Sequence, residues 1–164
     1  MKTKTLELLD DLITFAQRPD AEWDEPATLF LASDEGMLEI IILDNNEFDV
    51  YEMIYTIASQ LHSLERKAPL TSAYLFTEAW SLRSDGHPPE WLMEERDRLQ
   101  AMGLRFADHP EAIELKTFAA IDAEGIVMRK ITRGETGVEE MPGAMSGRIP
   151  DALRFLLKEA LARG

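Results

Sequence analysis

The chain contains no cysteine, which excludes disulfides, thiolate metal sites and cysteine nucleophiles, and fits a reducing compartment. Histidine is scarce: His62, His87 and His109 are too widely spaced for an H-x-x-x-H pair, so the expectation is no metal and no cofactor. Positive charge is in short supply as well. Seventeen Lys and Arg stand against 31 Asp and Glu, a formal net charge of −14. A field of that sign repels phosphate backbones and anionic lipid head groups, and so argues against nucleic acid or membrane as a partner. It leaves open a basic protein partner, or an acidic decoy that mimics nucleic acid. No apolar run is long enough to cross a bilayer. The stretch Ile40-Ile41-Ile42-Leu43 falls far short of the roughly 20 residues required. Met1-Lys2-Thr3-Lys4-Thr5 leads into Glu7, Asp10 and Asp11 with no apolar core of a secretory signal, so the expectation is a soluble, cytoplasmic protein. Glycine-rich phosphate loops and the G-x-S-x-G elbow are missing. Gly143-Ala144-Met145-Ser146-Gly147 lacks the lysine and the preceding strand that a phosphate cradle uses.

What is present reads as one domain spanning residues 1–164. Leu6, Leu9, Ile13 and Ala16, flanked by Leu8, Leu12 and Phe15, recur at helical spacing over Thr3–Gln17, and Pro19 ends the helix. Thr28–Ser33 and Met37–Leu43 are short apolar runs joined by Asp34-Glu35-Gly36, the pattern of a β-hairpin. Asp44-Asn45-Asn46 offers N-caps for a helix reaching about Arg66, with Tyr51, Ile54, Ile57, Ala58, Leu61 and Leu64 on one face. Leu70–Leu82 is a long strand, Pro89–Met102 a short charged helix with Pro89 at its first position, and Glu111–Asp122 with Ile126–Thr132 a second hairpin. Gly134–Gly147 reads as a loop, and Pro150 opens a closing helix with Leu153, Leu157 and Ala160 inward. The predicted class is α+β, order αββαβ(α)ββα: a mainly antiparallel sheet of about five strands, in two hairpins plus a long central strand, packed by three or four helices. Both faces of Met37–Leu43 and of Leu70–Leu82 are apolar, so both sheet faces need cover. With so few helices to provide it, a homodimer is expected.

Chemistry, if any, points to Glu114-Leu115-Lys116. In a strand the acid and the base share one face. On the Leu70–Leu82 strand Tyr74, Phe76, Glu78 and Trp80 also share a face, and Glu78 is the one charge among them. The trio Glu78, Glu114 and Lys116 resembles the core of the PD-(D/E)xK nucleases, which implies acids holding a divalent metal and a lysine that helps activate water. The same residues also suit a plain cross-strand ion pair. A carboxylate between aromatics must be paired, exposed or shifted in pKa, so Lys116 or Arg129 is the expected partner of Glu78. Tyr74, Trp80 and Glu78 together have the apolar-wall-and-one-acid make-up of a small-molecule pocket.

Thr77-Glu78-Ala79-Trp80, then Asp108-His109-Pro110-Glu111 running into Glu114–Asp122 and a glycine turn, resembles a group of uncharacterised actinobacterial and phage-encoded α+β proteins. The resemblance covers roughly the Leu70–Gly134 region and implies no particular activity. The expected function is a non-enzymatic binding or protein-interaction module. The alternatives are the metal-dependent nuclease-like hydrolase with its E-x-K strand and the acidic decoy.

Overall fold

A computed structural model describes residues 1–43, 49–61, 69–83, 85–141 and 148–163. The first helix, α1 (Thr3–Ala16), buries Thr5, Leu9, Ile13 and Ala16, spaced three or four apart as one helix face requires. Two strands follow, β1 (Thr28–Ser33) and β2 (Gly36–Ile42), with Gly36 at φ 135 closing a tight Asp34-Glu35 loop. Helix α2 (Val50–Ser59) starts later than the sequence suggests. Its N-cap is Asp49, whose carboxylate accepts the Tyr51 N–H at 2.7 Å. The expected caps at residues 44–46, and Leu64, Arg66 and His62 further on, lie outside the described residues.

Strand β3 (Ser72–Leu82) leads through a turn at Pro88–Glu90 into α3 (Trp91–Ala101). Pro89 therefore precedes the helix and does not open it, whereas Gly103, at φ 70, lies just past its end as expected. A 3-10 turn (Phe106–Asp108) precedes β4 (Ala112–Asp122) and β5 (Gly125–Thr132). The segment read as a loop contains a two-residue strand, β6 (Glu139–Glu140), laid on Arg129 and Lys130. Helix α4 (Arg148–Arg163) starts two residues before Pro150, which sits inside the first turn, where its missing N–H has no helical acceptor to lose.

The strands form one sheet in the order β2-β1-β3-β4-β5-β6, with every neighbouring pair antiparallel. The α+β class and the element order follow the sequence, with β6 as an addition. Alternation along the strands sends Leu29, Leu31, Ala73, Leu75, Ala119 and Ile121 to one face, against α2 and α4. Tyr74, Phe76, Phe118 and Ala120 go to the other, against Leu9, Ile13 and Ala16 of α1. The two covers are unequal: two helices on one side, a single helix over β3 and β4 on the other. Among the described residues no helix is long and apolar enough to cross a membrane.

Candidate functional site

Beyond the C-terminal end of α1 the sheet face turns polar, and a strap covers it. Pro19 and Pro26 bracket that strap, each keeping its neighbourhood out of regular helix or sheet. Between them Asp24 takes φ 73, the one positive value at a non-glycine among the described residues. That kink aims two successive N–H groups the same way, a concavity suited to an anion. The anion is the Glu78 carboxylate, which accepts from Asp24 N–H at 2.6 Å and from Glu25 N–H at 3.3 Å.

Lys116 is the cross-strand neighbour of Glu78, with Nζ 3.9 Å from Oε1. The same Nζ donates to the Glu22 carbonyl at 2.8 Å and lies 5.0 Å from the centre of the Trp23 ring. Glu114, opposite Trp80, accepts from Arg133 Nη1 at 2.9 Å, and that guanidinium also sits by Trp23, 5.4 Å from its centre. Glu25 is held in turn by Arg18 at 3.2 Å. The sequence trio Glu78, Glu114 and Lys116 does come together, as alternating charges closed over by Trp23. Arg129, the other expected partner of Glu78, pairs with Asp10 of α1 and with Glu140 instead.

Burial is the largest influence on Glu78 and raises its pKa; the two strap N–H groups and Lys116 pull the other way, and the nearby Asp24 charge adds to the rise. Lys116 is 3% exposed, so its charge depends on the carbonyl, the carboxylate and the indole around it. Glu78 and Lys116 thus fasten the strap through its backbone, while Glu114 holds Arg133 beside the strap's Trp23. Among the described residues no three or more His, Asp or Glu gather as metal ligands.

Of the three residues grouped as a pocket, Glu78 and Trp80 share a recess and Tyr74 lies apart from them. Tyr74 is buried in the α1 core, its hydroxyl 3.0 Å from that of Ser72, and burial raises its pKa. Trp80 is half-exposed, and with Trp23, Asp24, Glu78 and Glu114 it lines a recess of about 110 Å³. That recess is small for a ligand, since binding clefts run to about 300–1,000 Å³.

A larger feature lies where α1 leaves β1 and β2 uncovered. Leu12, Phe15, Phe30, Ile40 and Ile42 line an apolar groove of about 240 Å³, with Glu25 as its one charged wall residue. Phe15, Ile40 and Ile42 are 66%, 59% and 65% exposed. On the opposite face of β2, Ile41, Leu43, Met53 and Ile57 line a second recess, with Glu52 on its rim. The apolar character of both faces of this strand signals the groove in sequence; its position at the sheet edge has no such signal.

A further cluster was not foreseen. His87 stacks on Trp91 at 3.7 Å, and His109 meets the edge of Trp91 at 6.0 Å. His109 Nδ1 accepts the Glu111 N–H at 2.9 Å, which leaves its Nε2 to donate to Glu95 at 2.9 Å. Arg98 grips Glu95 with two bonds, at 3.0 and 2.7 Å, and with His109 it holds that carboxyl down at about 2. The cluster ties α3 to the turn before β4. Both histidine segments were visible as loops flanked by acids, but nothing in their order brings them together. No known family, no curated protein and no solved structure matches this chain.

Proposed function

We propose that the protein is a non-enzymatic protein-interaction module that binds through the β2 edge and the apolar groove beside it. The observation that carries this reading is the adjacent exposure of Phe15, Ile40 and Ile42 on a sheet face only half covered by helix. Contiguous exposed apolar surface in a highly charged chain marks an interaction site. The reading is also supported by the use of Glu78, Lys116, Glu114 and Arg133 in fastening the strap, which leaves their oxygens and nitrogens engaged with one another and with backbone.

The test sets this against the hydrolase alternative. Supercoiled plasmid and single-stranded oligonucleotide are incubated with the pure protein and millimolar Mg²⁺ or Mn²⁺. Thermal unfolding is followed with and without the metal. The expected result is no cleavage above a blank and no metal-dependent rise in the unfolding temperature. Cleavage that needs the metal and disappears in Glu114→Gln overturns the proposal.

A further inference from the structure

We infer that the partner at the β2 edge is a second copy of the chain, its own β2 laid antiparallel to the first about a two-fold axis at Ile41. The inference rests on the interaction-module reading and names the partner of that same surface. It begins with the direction of the backbone groups. Leu43 N–H donates to the Ala27 carbonyl at 2.8 Å, toward β1. Antiparallel strands alternate the side on which successive residues bond. Leu43, Ile41 and Glu39 therefore turn their N–H and C=O inward to β1, and Ile40 and Ile42 turn theirs outward. The two isoleucines whose side chains are exposed on this strand are also those with outward-facing backbone.

A register centred on Ile41 uses both. Ile40 comes opposite Ile42 of the partner subunit, and Ile42 opposite the partner's Ile40, each as a hydrogen-bonded pair. Ile41 meets the partner's Ile41 as a non-hydrogen-bonded pair. Over Ile40–Ile42 isoleucine faces isoleucine, and such β-branched cross-strand pairs are favourable. Glu39, the one charged residue in Gly36–Ile42, falls opposite Leu43 of the partner subunit, so the ladder contains no like-charge pair. Among the described residues, the other acids that line recesses beside Ile41–Leu43 include Asp24, Glu25, Asp49 and Glu52, and at solvent-open positions salt screens their repulsion.

The contrast between the two sheet edges favours a copy over a chance partner. At the far edge β6 puts Glu139 and Glu140 against Lys130 and Arg129, a charged border of the kind that keeps strands from pairing. Along β2 there is no Lys, Arg or Pro, and its register against β1 is unbroken from Glu39 to Ile42, the one shift falling between Glu39 and Met37 on the hairpin side. An edge left this open needs a cover that is present whenever the protein is, and closed two-fold dimers are the commonest such cover.

Light scattering after size exclusion at about 50 µM, well above typical dimer dissociation constants, is expected to give a mass of two 18.6 kDa chains. Ile40→Lys with Ile42→Lys is expected to raise the dimer dissociation constant on the order of 100-fold with an unchanged far-UV spectrum. Because the chain has no cysteine, single cysteines report the register directly. Ile41→Cys sits about 4.5 Å (Cα to Cα) from its copy in this pairing, within disulfide reach, and is expected to cross-link on oxidation roughly ten times faster than Glu39→Cys. A monomeric wild-type mass overturns the dimer and leaves the interaction module to a foreign strand. A dimeric mass with equal cross-linking at the two positions overturns the β2 register. Metal-dependent cleavage, by contrast, overturns the underlying reading itself.

Discussion

Replacing Glu78 separates the two things its carboxylate does. In Glu78→Ala the N–H groups of Asp24 and Glu25 lose their acceptor, and Lys116, 3% exposed, loses the one carboxylate paired with it among the described residues. Removing one partner of a buried ion pair typically costs about 3–5 kcal/mol. The long 3.9 Å separation and the surviving bond from Lys116 to the Glu22 carbonyl put this case toward the lower end. Glu78 also pays for its own burial, which its raised pKa records, and alanine removes that cost. The expected net loss is about 2–4 kcal/mol, a fall of roughly 1–2 M in the urea midpoint at a typical slope near 2 kcal/mol/M. Glu78→Gln keeps an acceptor for the strap while dropping the buried charge, so it is expected within about 1 kcal/mol of wild type at neutral pH. The pH dependence has a definite sign. A carboxyl whose folded pKa is raised binds its proton more tightly in the native state. Its contribution to stability is therefore full below its unfolded pKa of about 4.3 and is lost as pH rises through the folded value. Relative to wild type, Glu78→Gln should gain stability as pH rises across that window. Urea unfolding followed by tryptophan fluorescence at several pH values measures all of this. A Glu78→Ala midpoint equal to wild type would refute the idea that this carboxylate holds the strap.

Glu95 behaves in the opposite sense: with its carboxyl held at about 2, the stability it contributes is present above the unfolded pKa and is lost as pH falls toward 2. Amide protection factors in Trp91–Ala101, taken relative to the intrinsic exchange rate at each pH, should fall over that range and already be low at neutral pH in Glu95→Ala; unchanged protection would disprove the clasp. Asp24→Val forces a β-branched residue to φ 73 and is expected to cost about 1–3 kcal/mol by urea unfolding, whereas Asp24→Gly should stay within about 1 kcal/mol of wild type.

The parts of this fold that could be read from sequence are those governed by neighbours in the chain. The hairpin at Asp34-Glu35-Gly36, the end of α1 before Pro19 and the glycine past α3 each depend on a few adjacent residues. Helix starts were harder. Asp49 caps α2 because its carboxylate meets the Tyr51 N–H, and it also pairs with Arg148, 99 residues away. Glu78, Glu114 and Lys116 were legible as a group, since strand alternation fixes which face each occupies. Their use was not legible, because it depends on Glu22–Glu25, separated from Glu78 and Lys116 by 53 to 94 residues. Periodicity similarly gave Phe15 and Ile40 apolar surroundings but could not say that α1 would lie over β3 and β4 and leave them bare.

The sheet order has a consequence for how the chain is made. The first helix and the strap complete their contacts only with β3, β4 and β5: Lys2 donates its N–H to Asp122, Asp10 pairs with Arg129, and Trp23 lies over Arg133. During synthesis from the N-terminus, α1 and the β1–β2 hairpin emerge while the stretch from Ile42 to Asp122, Arg129 and Arg133 is still to be made. At about 5–20 residues per second, that interval lasts several seconds or longer. Through it the isoleucine run of β2 and the inner stripe of α1 are exposed together on a nascent chain. The demand for a chaperone should therefore fall early in translation and end when β4 pairs with β3.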